Sequence, residues 1–177
     1  MKLQYQLNEQ DLIQYQFYVT SQSKRERRKR QRRKFMLPIM YLGMAIYAYA
    51  SGDITVGISM ATIGLLWLLI YPLYSKRLYT RYYKRYVKEN YTNKIGKPAT
   101  VEVTKEAIFT SDEGSNATVK LTELDSFVAI PEYYIIHLAP NQGIVVPKYT
   151  VKDQDAFEAY FTAANVPFKN LSDWKWK

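Results

Sequence analysis

Two apolar stretches stand out from an otherwise polar chain. Phe35 to Ser51 reads FMLPIMYLGMAIYAYAS, and Ile54 to Tyr74 reads ITVGISMATIGLLWLLIYPLY; neither contains a charged residue. A helix that crosses a hydrocarbon core of about 30 Å needs roughly 20 residues. The second stretch meets this. The first is short and can borrow length from Gly52 or from its basic flank. Gly52 and Asp53 alone separate the two, which allows only a tight turn, so the pair predicts a transmembrane helical hairpin. A helix in a soluble protein normally carries a polar stripe, and neither stretch has a charged one. A secretory signal does not fit either, because the apolar run starts at residue 35 and a second follows at once.

Other periodicities define the rest of the chain. Leu3, Tyr5 and Leu7 alternate with Lys2, Gln4 and Gln6, a strand pattern. Asn8 then supplies a helix cap, with acids in the first turn. The helix from about Glu9 carries Ile13 and Phe17 on one face, and is expected to run through the basic tract towards the first span. Beyond Tyr74 the helix continues, with Tyr79, Tyr82, Tyr83 and Tyr86 on one face. From Lys97-Pro98 the residues turn β-branched. Strands are predicted near Ala99–Thr104, Ala107–Ser111, Ala117–Leu121, Ser126–Ile130, Tyr133–Ala139 and Gly143–Pro147, with turns at Asp112–Asn116 and Pro140–Gly143. A helix of about Asp153 to Ala164 buries Phe157, Tyr160, Phe161 and Ala164.

The expected fold class is an α+β membrane protein. Residues 1–34 form an N-terminal strand and basic juxtamembrane helix, and 35–74 form the hairpin. Residues 75–97 are a basic amphipathic helix, and 98–177 are a small antiparallel β domain closed by a C-terminal helix. A core of about 80 residues is marginal alone, so the Leu3–Leu7 strand is expected to complete it.

Charge sets an orientation. The chain carries +9, with +13 in residues 1–97 and −4 in residues 98–177. Lys24 to Lys34 holds nine basic residues in eleven, and a second cluster follows Tyr74. The turn between the apolar stretches offers only Asp53. Positive flanks stay in the cytoplasm, so both termini are expected there, in a multi-pass cell-membrane protein. An anionic inner leaflet reinforces this bias. On the first flank the candidate lipid contacts are Arg27, Arg28, Lys29, Arg30, Arg32, Arg33 and Lys34. On the second they are Lys76, Arg77, Arg81, Lys84, Arg85 and Lys88. Topogenesis and helix packing explain the same residues without a specific lipid. Tyr47 and Tyr49 suit the outer interface, Tyr71 and Tyr74 the inner one. Gly57, Ala61 and Gly64 place small residues at helical spacing, a packing stripe for the first span or for a second copy of the chain. Basic residues among aromatics also suit nucleic acid, but here they abut apolar spans, so no nucleic-acid partner is expected.

Little in the chain suggests catalysis. No cysteine is present, which excludes disulfides, thiolate chemistry and cysteine-bound metals. The single histidine, His137, lies in a predicted strand with no acid or nucleophile at useful spacing. Glu123, Asp125 and Glu132 read as solvated surface, and Pro147-Lys148 as a structural corner. No phosphate-binding glycine loop or nucleophile elbow occurs. No catalytic, metal or cofactor site is expected. The tail Trp174-Lys175-Trp176-Lys177 suits either an interfacial tether or a free end.

The pattern L-x-Y-x-L-N-E-x-D at Leu3–Asp11, the paired apolar stretches, I-V-V-P-K-Y at Ile144–Tyr149 and D-A-F-E-A-Y-F at Asp155–Phe161 together resemble the bacterial YcxB-like proteins. The resemblance implies an N-terminal strand and helix, two adjacent spans and a cytosolic pleckstrin-homology-like domain. It implies no activity. The function expected is that of a non-enzymatic, membrane-anchored module that recruits a cytosolic protein or a lipid. The alternative is a transport or immunity-type component acting through its spans, as an oligomer.

Overall fold

The computed structural model describes residues 1–112, 115–139 and 142–176. Glu113, Gly114, Pro140 and Asn141, from the two predicted turns, lie outside the described residues, as does Lys177. The chain divides into two units. One comprises Met1–Tyr15 with Lys84–Lys175, the other Gln16–Tyr83 with the final residues.

The first unit is the β domain. Its strands are β1 (Lys2–Gln6), β2 (Pro98–Val103), β3 (Ala107–Asp112), β4 (Ser115–Lys120), β5 (Ser126–Ala129), β6 (Tyr133–Ala139), β7 (Gln142–Pro147) and β8 (Phe168–Asn170). They form two four-stranded sheets, ordered β1-β2-β3-β4 and β7-β6-β5-β8. The N-terminal strand does join the domain. It pairs antiparallel with β2, Leu3 opposite Val101 and Tyr5 opposite Ala99. Alternation sorts the first sheet: Val101 and Val103 are buried while Glu102 is exposed. In β6, by contrast, Tyr133, Tyr134, Ile135 and Ile136 are all buried. Tyr134 and Ile136 enter the core, whereas Tyr133 faces the start of helix α1 (Glu9–Gln22), to which its hydroxyl is bonded. A strand covered on both faces loses its polar alternation.

Helix α4 (Gln154–Ala163) closes the core. Asp153 caps it, its side chain accepting from the Ala156 amide at 2.9 Å. Phe157 and Phe161 are fully buried, and Phe161 stacks on Phe127 with centroids 4.0 Å apart and planes 8° apart. Asn165 then adopts φ +57°, a left-handed conformation asparagine tolerates at a helix end. The reversal sends the chain into β8, which pairs parallel with β5. Sequence reading did not find β8. Its three residues are all exposed and show no alternation.

The second unit is helical. The expected continuous helix is broken at Ser23, which caps α2 (Lys24–Ala50) by accepting from the Glu26 amide. Ser23-Lys24-Arg25-Glu26 matches the S-x-x-E capping pattern, hidden in a basic run. Helix α3 (Ile54–Tyr91) lies antiparallel to α2. A Cβ on Gly57 would sit 3.1 Å from the Ala45 carbonyl, and one on Gly64 3.4 Å from Tyr41 Cβ. Further along, the Tyr71 hydroxyl donates to the Arg30 carbonyl at 3.0 Å. Ala61, between the two glycines, is half-buried. Gly52, at φ +86°, makes the tight turn.

Among the described residues, α3 is the one helix long and apolar enough to cross a membrane. Inside α2 the uncharged stretch runs only from Phe35 to Ala50, and Pro38 and three tyrosines dilute it. Even so, α2 shows the same kind of surface. Met36, Ile39 and Ile46 on α2, and Ile58, Leu65, Leu69 and Leu73 on α3, each leave 63–74% of their area exposed.

Candidate functional site

Two features of the chain offer a surface for binding. The first is the set of basic residues on α2 and α3. Arg27, Arg28, Lys29, Arg32 and Arg33 are exposed, and Lys34 is half-buried. Lys76, Arg77, Arg81, Lys84, Arg85 and Lys88 are all exposed along α3. Lys29 is paired with Glu26 at 2.6 Å and Arg85 with Glu89 at 2.8 Å, both at helical spacing on open surface. Such pairs contribute little to stability and leave the charge available.

Arg30 departs from the expectation of a lipid contact, being only 7% exposed. Its guanidinium carbon lies 4.2 Å from the Trp176 ring centroid and 5.9 Å from that of Tyr79. One of its nitrogens, Nη1, is buried with no hydrogen-bond partner. Trp176 also packs against Phe17, with centroids 4.7 Å apart. Trp176 of the aromatic tail thus packs over a buried cation.

The second feature is a cavity of about 360 Å³, lined entirely by residues of the first unit. Leu7, Ala99, Leu138 and Ile144 form part of its apolar wall. Lys94, Lys97 and Asp112 also line it. Lys94 Nζ lies 2.8 Å from Asp112 Oδ2, while Asp112 Oδ1 is buried with no hydrogen-bond partner. Beside the cavity the Tyr5 hydroxyl donates to the Val145 carbonyl at 2.7 Å, tying β1 to β7. Burial raises the pKa of this phenol, with a smaller contribution from Tyr149. Sequence reading missed the cavity, because its walls come from strands and loops far apart in the chain.

Residues 103–162 match the family model of YcxB-like proteins. Searches of curated proteins and of solved structures found no match. The YcxB-like stretch runs from the end of β2 into α4. It supplies Asp112, Leu138 and Ile144 to the cavity, while Leu7, Lys94, Lys97 and Ala99 come from outside it.

The residues singled out within the YcxB-like stretch take structural places. The Pro147-Lys148 corner is held by the Lys148 amide donating to the Glu132 carbonyl at 3.0 Å and by Thr150 Oγ1 donating to the Pro147 carbonyl at 2.7 Å. The Lys148 ammonium lies 5.0 Å from the centre of the Tyr134 ring, and burial lowers its pKa. The Tyr134 hydroxyl donates to Glu158 at 2.9 Å. His137 lies opposite Ser126 across the β5–β6 ladder, its pKa lowered by burial against a smaller opposing effect of Asp125. Among the described residues no group of three or more His, Cys, Asp or Glu side chains is placed to hold a metal ion.

Proposed function

We propose that this protein is a membrane-anchored interaction module without enzymatic activity. In this reading α2 and α3 cross the cell membrane as a hairpin, both termini are cytoplasmic, and the β domain, pleckstrin-homology-like in its two sheets and closing helix, recruits a protein or a lipid. The observation that carries the reading is the apolar surface of α2 and α3. Seven large aliphatic side chains exposed at 63–74% form a surface that water does not favour and hydrocarbon does. The antiparallel packing of α2 on α3 supports two passes even though α2 alone is short, since a short span is accommodated by local thinning or snorkelling of its flanks. The exposed basic residues on both flanks, against a lone Asp53 in the turn, support the cytoplasmic orientation. Neither apolar stretch carries an ionisable residue, which argues against a transport pathway through them.

The chain lacks cysteine, so introduced thiols report topology cleanly. Ser51→Cys should react with an impermeant maleimide in intact cells, and Asn116→Cys only after permeabilisation. The reverse pattern, or equal reactivity, overturns the topology. Recruitment is tested by crosslinking in native membranes. A partner captured by the full chain but not by one lacking residues 98–177 supports the module reading; the same partners from both refute it.

A further inference from the structure

Four of the half-buried hydrophobic residues of the β domain come together in one place. Leu7, Ala99, Leu138 and Ile144 pack against the core yet stay partly exposed, and all four line the same cavity. Side chains in a domain core ordinarily close on one another to crystal-like density. Here about 360 Å³ remains open, within the roughly 300–1,000 Å³ range of small-molecule pockets. The Tyr5–Val145 hydrogen bond fixes the spacing of β1 and β7 beside it. Gly143 lines it too. A Cβ there would meet Tyr15 Oη at 3.1 Å and the Ile136 carbonyl at 3.2 Å, so the wall is built to the limit of a glycine. Among the described residues the charged groups of the lining are Lys94, Lys97 and Asp112, with Lys94 paired to Asp112. Tyr91, the last residue of α3, and the loop after it supply one side of the lining, so this wall is continuous in sequence with the helix proposed to cross the membrane.

We infer that this cavity binds a single-chain amphiphile, its apolar chain against Leu7, Leu138 and Ile144 and its anionic head at Lys94 and Lys97. The inference rests on reading the β domain as a binding module and gives that module a ligand class. The apolar wall selects an aliphatic body, the two lysines select a carboxylate or phosphate, and a space of about 360 Å³ suits one chain. Two sources share this chemistry, a free fatty acid and a lysophospholipid drawn from the bilayer.

The test uses the full chain in phosphatidylcholine nanodiscs and a diazirine-bearing dodecanoic acid as photoprobe. Saturable adducts are expected on peptides containing Leu7, Leu138 or Ile144. Competition by laurate alone identifies the free acid as the source, and competition by lysophosphatidylglycerol identifies the bilayer. Ala99→Trp and Leu138→Trp each fill the cavity and should abolish these adducts. Two core-facing variants are used so that one which folds, judged by its near-UV circular dichroism, is available. The rim pair Lys94→Gln with Lys97→Gln should weaken probe affinity about tenfold, as expected for loss of charge-assisted contacts. Phe109→Trp, on the exposed face of β3, should change nothing. Adducts confined to residues 35–74, or unchanged in a folded cavity-filling variant, overturn the inference. The thiol-topology and partner-capture results are independent of these adducts, so failure of the ligand assignment is distinguishable from failure of the module reading.

Discussion

The ring of Trp176, the second residue from the end of the chain, lies 4.2 Å from the guanidinium carbon of Arg30 near the start of α2. Tyr79 stands against the same indole, with centroids 5.2 Å apart, so the cation is enclosed by aromatic faces rather than by carboxylates. A desolvated cation on an indole face is worth up to about 2 kcal/mol. Trp176→Ala should therefore destabilise the helical unit by about 1–2 kcal/mol, with Trp176→Phe intermediate. Thermal melts of the detergent-solubilised chain measure this, and increased tryptic cleavage after Lys175 should accompany it. An unchanged melt would show that the stack contributes nothing.

In the first unit, Asp11 is buried and its two oxygens have separate partners. Oδ1 accepts from the Tyr133 hydroxyl at 2.8 Å and Oδ2 from the Asn8 amide at 2.7 Å, while Asn8 Oδ1 accepts from the Asp11 amide. Removing one partner leaves a buried acceptor unsatisfied, a cost of about 1–3 kcal/mol. Tyr133→Phe should lower stability by that amount in denaturant titration, and Asp11→Ala with Tyr133→Phe should cost less than the sum of the single changes.

Gly64 and Tyr41 face each other closely enough for a crosslink. The Cβ position of Gly64 lies 3.4 Å from Tyr41 Cβ, close to the separation found in disulfides. Tyr41→Cys with Gly64→Cys should oxidise within a single chain, read as a mobility shift on non-reducing gels without dimer formation. Adding Gly57→Leu, which drives a side chain into the Ala45 carbonyl, should reduce the yield. A crosslink appearing only as dimer would assign the small-residue stripe to contact between two copies.

Alkaline pH probes the tyrosines of the helical unit. Burial pushes Tyr83 up to about 12, partly offset by its hydrogen bond with Thr20, and burial pushes Tyr18 up to about 12 as well. Both exceed the ordinary phenol value near 10. A raised folded-state pKa means the unfolded chain releases its proton first. The stabilisation is thus fully present below pH 10 and is lost as pH rises towards about 12. Denaturant midpoints measured from pH 9 to pH 12 should fall across that window, and Tyr83→Phe should make the decline shallower.

Much of the fold is legible because it is local. The strands from β2 to β7, helix α4 with Phe157 and Phe161 inward, and the start of α1 at Asn8 all follow from alternation, helical spacing and capping. Where sequence reading fell short, the cause was competition between local signals or the want of one. The cap at Ser23 was masked by the basic run around it, and β8 has no periodicity, finding its place only because Asn165 turns the chain back towards β5. The basic residues were legible as a class but not one by one. Arg30 and Arg33 differ by three positions, yet one is buried and the other exposed.

By itself, the sequence determined the two uncharged apolar stretches, their basic flanks, the absence of thiol chemistry and the periodicity of each strand and helix. These depend on which residues follow one another, and side-chain solvation is nearly additive along a chain. Tertiary structure alone decided that Trp176 covers Arg30, that β1 pairs with β2 in the register that sets Leu3 opposite Val101, and that Leu7, Leu138 and Ile144 surround a space instead of filling it. Each of these depends on groups brought together from distant parts of the chain, and a cavity is a property of where atoms are not, which no local pattern encodes.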